Sequence, residues 1–168
     1  MIAIECSYAT LHQMNNLSQH LATLLTTAWV GGLWTVGYLA VPVLFYTQPD
    51  SQLAGMLAGH MFALMNYLGM VCGIYLLVYR YSTFGKASLR QPLFWVVATM
   101  LLLTLVMQCG IQPVMTDLKA QALPLDVMKS EFSGRFRMLH GVSSIFYLIQ
   151  SLLGIFIVIK SHRNVIVA

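Results

Sequence analysis

From Met138 to Ile159 the chain carries no Asp, Glu, Lys or Arg, and a run of that length matches one bilayer crossing of ~20 residues. Its polarity is one-sided. At ~100° per residue, His140, Ser143, Ser144, Tyr147, Gln150, Ser151 and Gly154 share an arc of roughly 120°. Ile145, Leu148, Ile149, Leu152 and Phe156 take the opposite side. Within hydrocarbon a helix keeps such a stripe only by turning it toward other helices or a wet cavity. The run therefore demands neighbours, and the remaining sequence must supply them.

Three more uncharged apolar runs do so, giving spans at about 21–45, 56–79, 93–114 and 138–159. Hydrophobic residues make up 58% of the chain and charged residues only 8%, against about a quarter charged in a soluble domain. The expected fold is all-α: an integral-membrane, up-down four-helix bundle in which residues 1–168 form a single domain. The lipid bilayer is its first partner. The net charge of +4 comes from Lys and Arg placed mostly at span ends, a pattern that orients a membrane protein and gives no reason to expect nucleic acid. The first twenty residues lack the basic start of a secretory signal and read as an uncleaved tail. Cys6, Cys72 and Cys109 match neither a disulfide framework nor a zinc spacing.

Within the spans, small and polar residues pick out faces. Gly55, Gly59, Asn66, Gly69 and Gly73 fall within roughly 80° of the second span, a surface for close helix approach inside the bundle or against a second protomer or membrane-protein partner. Thr104, Gln108 and Gln112 make a stripe that ends at Pro113, on a third span expected to end near Val114. Leu125, Met128 and Phe132 suggest a short interfacial helix after Pro124. Basic residues near span ends favour the termini side five to four, so the termini are expected in the cytoplasm and the protein in a bacterial inner membrane.

Depth then gathers the polar inventory in the outer half. His140, Ser143, Ser144 and Tyr147 of the fourth span, Gln108 and Gln112 of the third and Asn66 of the second are expected to line one outward pocket, with Arg137 at its mouth. Such a pocket suits a metal ion or small polar solute, bound or transported. His60 and His140 are candidate metal or haem ligands, since neutral imidazole binds both; haem b or copper are the cofactors they would take. Two other readings stand beside this one: a haem-binding redox protein, and a structural or accessory subunit of a larger membrane complex. No reaction follows from the residues. Ser143-Ser144 lacks the Gly-x-Ser-x-Gly context of a hydrolase and has no deep carboxylate.

The pattern Trp29-Val30-Gly31-Gly32, Pro42 with Phe45, Gly55, Phe62 and Arg137-x-x-His140-Gly141-x-Ser143-Ser144 resembles an uncharacterised bacterial membrane family, a domain of unknown function. That family is similar to eukaryotic transmembrane proteins linked to cisplatin resistance. More distantly, the chain resembles copper-resistance D-type proteins and HemJ-type protoporphyrinogen oxidases, which are four-helix haem proteins. The resemblance implies a four-helix inner-membrane protein without an assigned activity.

Overall fold

A computed structural model describes the backbone of residues 2–123 and 125–166, and the side chains of 16–123 and 125–160. Cys6 and Arg163 therefore lie outside the described side chains. Six α-helices follow in order: α1 (Ile2–Trp34), α2 (Val41–Thr47), α3 (Ser51–Phe84), α4 (Pro92–Leu105), α5 (Gln112–Ala122) and α6 (Ser133–Ile166). A π-helical turn, Thr35–Ala40, joins α1 to α2, and another, Val106–Ile111, joins α4 to α5. Four continuous rods result, each with a stretch long and apolar enough to cross a membrane: Asn16–Thr47, Ser51–Arg90, Pro92–Ala122 and Ser133–Lys160. They form an all-α membrane bundle, with no strand among the described residues.

Both π-turns have the same origin. Pro42 and Pro113 each stand two residues beyond a π-turn. A proline ring inside an α-helix strikes the carbonyl four residues back and lacks its own N–H. Widening the preceding turn to five-residue hydrogen bonds removes the conflict without ending the helix. Val41 N–H accordingly bonds Val36 O, and Gln112 N–H bonds Met107 O. So the third rod does not end near Val114, as the sequence suggested; it runs through Pro113 to Ala122. The expected interfacial helix after Pro124 is reduced to one 3-10 turn, Val127–Lys129.

The connections show ordinary turn chemistry. Asp50 caps α3, its carboxylate accepting from Gln52 N at 2.9 Å and Leu53 N at 3.2 Å. Gly85 ends α3 at φ 55°, a conformation that costs a residue with a Cβ.

Packing follows the small residues. α3 lies against α1 and α4, and α6 against the same pair, so α3 and α6 sit diagonally. Trp29 of α1 is 1% exposed, and its indole lies over Gly69 and Gly73 of α3. Gly154 of α6 receives Val30. Without a hydrophobic drive between helices in lipid, such close approach supplies the dispersion contacts. Leu24, Leu64, Leu102 and Ile145 are all exposed, the surface that a bilayer covers. Trp34, by contrast with Trp29, is 41% exposed and lies outside the core.

Deep polar groups are satisfied by protein. Gln150, 2% exposed, donates to Met100 O at 3.1 Å and to Thr104 Oγ1 at 2.8 Å. Tyr38 OH donates to Ser151 Oγ at 3.0 Å. Tyr147 OH donates to Leu33 O. Tyr147 thereby meets the first rod two residues before Thr35, at the edge of the first π-turn. Its ring packs edge-on against Phe62 and Tyr38, with centroids 5.3 and 6.2 Å away.

Candidate functional site

Continuation of the third rod past Pro113 brings α5 alongside the first turns of α3. Between them lies an open groove of about 350 Å³. α3 contributes Met56, Gly59, His60 and Ala63, which recur at i, i+3, i+4 and i+7 on one helical face. The other wall consists of Gln108 from the second π-turn and Gln112, Pro113, Met115, Thr116, Asp117 and Lys119 of α5. The lining combines apolar surface with a few polar groups, the usual composition of a small-molecule site.

Hydrogen bonds decide what each polar group has left to offer. Lys119 Nζ donates to Gly55 O at 2.9 Å and stands 5.6 Å over the ring of Phe136. Gln112 Nε2 donates to Gly59 O at 3.4 Å. Glycine at 55 and 59 leaves these helix carbonyls approachable from the side. Asn66 Nδ2 donates to Gln108 Oε1 at 3.2 Å, so the Gln108 carbonyl is engaged and its NH2 has no partner among the described residues. His60 Nδ1 lies 3.0 Å from Met56 O. A carbonyl only accepts, so Nδ1 carries the proton and the neutral ring keeps its lone pair on Nε2. Thr116 Oγ1 donates back to Gln112 O at 2.9 Å.

The residues singled out in the sequence divide between this groove and elsewhere. Gln108 and Gln112 line it, Asn66 reaches it through Gln108, and His60 stands on its wall. Tyr147 points into the bundle but bonds helix backbone outside the groove. Ser143 is half-buried and donates to Leu139 O at 2.9 Å, with Met115 Sδ at 3.8 Å. His140 and Ser144 are exposed: Ser144 bonds its own helix at His140 O, and His140 stacks on Phe136 at 6.2 Å. Arg137 is exposed and lines no part of the groove. The expectation of one inward stripe on the fourth span is therefore corrected: it turns inward only from Tyr147 onward.

The physical reason lies at the end of the rod. Phe136 and Leu139 of α6 pack with Leu118, Ala122, Val127 and Phe132 in a small apolar cluster. At the membrane boundary water returns, and apolar side chains again go inside while polar ones face out.

The sequence pattern alone does not point to Lys119, Thr116 or Asp117. Gln108, Gln112 and Lys119 share one face only where the helix continues beyond Val114, so a span ending there hides the relation.

The model for the domain of unknown function DUF4149 matches residues 24–124. The chain belongs to this family. No curated protein matches the chain, and no solved structure does. The matched segment holds the whole groove, Met56 to Lys119, whereas His140 and the rest of α6 fall outside it.

The candidate haem or copper ligands His60 and His140 stand on different surfaces. Among the described residues no group of three or more His, Cys, Asp or Glu comes together. His60 belongs to the α3–α5 groove and His140 to the exposed side of α6. A cation in the groove would also meet the ammonium of Lys119.

Proposed function

We propose that this DUF4149 protein is a binding protein of the membrane whose α3–α5 groove takes a small polar solute or headgroup. The supporting observation is the convergence, in one open groove, of half-buried groups with hydrogen bonds to spare, the Gln108 NH2 and an N–H of Lys119, with His60 at its exposed edge. Elsewhere in the bundle, deep polar side chains such as Gln150, Tyr147 and Ser151 bond protein. Buried polar groups are normally paired, and those left available along a cleft mark where a ligand supplies the missing partner. The two glutamines and the wall of α3 keep this constellation on rigid helices. Its chemistry suits binding or passage of a solute.

We also infer that the groove lies at the end of the bundle away from the cytoplasm, with the termini inside, in a bacterial inner membrane. The connection Gly85–Arg90 carries Lys86 and Arg90, both exposed, and lies at the same end as the termini; basic flanks favour the cytoplasm. Single cysteines test both statements in a chain whose native cysteines are replaced. Ala120 and Ala87 are exposed, and Ala63 lines the groove, whereas Ser88 is 0% exposed and unsuitable. An impermeant thiol reagent applied to intact cells is expected to modify Ala63→Cys and Ala120→Cys and to spare Ala87→Cys. Modification of Ala87→Cys alone would invert the orientation. Labelling of Ala120→Cys with a permanently inert Ala63→Cys would show a closed groove.

A further inference from the structure

At the end of the bundle opposite the groove, we propose that Arg80 holds the headgroup phosphate of an anionic phospholipid. Arg80 follows directly on the apolar run 56–79, at headgroup depth, and lies half-buried where the end of α3 meets the start of α4. Its contacts with described side chains are neutral. Nη2 donates to the amide oxygen of Gln91, and the guanidinium carbon stands 5.5 Å over the ring of Phe84. Nε is enclosed and has no hydrogen-bond partner among the described residues. The hydroxyls of Thr83 and Ser88 are spent on Tyr79 O and Gly85 O. A guanidinium stays charged, so a half-buried one without a carboxylate calls for an anion from elsewhere. The described acids are all remote from it. Asp50, Asp117, Asp126 and Glu131 belong to the groove end, where Lys119, Lys129, Arg135 and Arg137 balance them. Arg80, Lys86, Arg90 and Lys160 stand at the other end with no Asp or Glu among the described side chains; Glu5 falls outside these. Trp95, 59% exposed, shares the Gln91 face of α4 one turn deeper, and its indole N–H donates to Leu89 O at 2.9 Å. Exposed aromatic surface just below basic groups is the profile of a lipid-facing boundary, and basic sites between helices there take anionic headgroups. Arginine suits phosphate oxygens, which its planar fork can meet in pairs.

The experiment reads Trp95 fluorescence in phosphatidylcholine nanodiscs that contain a small fraction of lipid brominated high on its acyl chains, either phosphatidylglycerol or phosphatidylcholine. Trp34→Phe removes the other exposed indole, and Trp29, 1% exposed, is shielded. Brominated phosphatidylglycerol is expected to quench in excess, equivalent to a local enrichment of about fivefold or more. Arg80→Gln should remove most of the excess, and Arg80→Lys should keep part of it, since an ammonium lacks the guanidinium fork. Should Arg80→Gln fail to fold, the lysine variant decides: a reduced excess supports the site, and an unchanged one overturns it. Replacing Lys86 and Arg90 together by glutamine should lower the excess only modestly. What remains should survive added salt, which screens exposed charges more than a half-buried one. Equal quenching by the two lipids overturns the proposal. So does an excess that persists in Arg80→Gln, which would belong to the diffuse field of the exposed basic residues. Loss of the excess on adding inorganic phosphate, against chloride of equal ionic strength, would assign Arg80 to a soluble anion and overturn the lipid.

Discussion

Gly69→Leu is expected to be among the most damaging single substitutions in this bundle. A Cβ at Gly69 would lie 2.6 Å from Trp29 Nε1 and 3.1 Å from Cε2, closer than non-bonded atoms come. The obstacle is a rigid indole, 1% exposed and walled in by Gly73 on the same helix. It cannot swing aside, so α1 and α3 must separate and lose contacts along their length. Overpacking of a tight core costs about 1–3 kcal/mol, occasionally more, and a leucine against an indole belongs at the upper end. Two other glycines calibrate the measurement. At Gly32 a Cβ meets the flexible tip of Met65, 2.7 Å from its Cε, and Gly32→Ala should cost less because that tip can turn. At Gly31 nothing lies within 4 Å, and Gly31→Ala should be close to neutral or mildly stabilising in an α-helix. Unfolding midpoints of the three variants in detergent give the order. A Gly69→Leu protein that melts with the parent contradicts the Trp29 packing.

The second large effect concerns the π-turn of the first rod. A Cβ at Gly37 would stand 2.2 Å from Cε1 and 2.7 Å from Cζ of Tyr147. That ring is held by the hydroxyl's bond to Leu33 O and by Phe62 and Tyr38. Gly37→Ala therefore forces the tyrosine aside and is expected to cost about 1–3 kcal/mol. Tyr147→Phe keeps the ring but removes the hydroxyl's bond to Leu33 O, a loss on the order of 1 kcal/mol. The two changes share one cause, so their effects should not add. Tyr147→Ala combined with Gly37→Ala should be less harmful than the sum of the single variants. Strict additivity would show that Tyr147 does not pack against Gly37.

Much of the bundle was legible because its physics is local. Uncharged runs of bilayer length mark four rods, and glycines at four-residue spacing mark where α3 takes Trp29. Asn66, Gln108 and Gln112 could be brought to one depth by counting residues, and the structure does bring Asn66 to Gln108. What was not legible depended on two non-local facts. Pro113 ends a helix by the usual rule, but a π-turn absorbs it, and only then do Thr116, Asp117 and Lys119 join the face of Gln112. His140 and Ser144 share an angular sector with Tyr147, but the apolar side of that end of α6, Phe136 and Leu139, goes to the α5 cluster instead. A polar stripe points inward in hydrocarbon and outward at the interface, and the sequence does not mark the depth where the rule reverses.

A crystal structure of the full chain grown from a lipidic mesophase is the most direct measurement of whether α3 and α5 frame a ligand site. The expected result is non-protein density in the groove, within hydrogen-bonding distance of Lys119 Nζ or Gln108 Nε2, with His60 on the facing wall and His140 on the outer side of α6. A groove filled by its own side chains, with Lys119 turned away from Gly55 and the Gln108 amide bonded to protein, would contradict it.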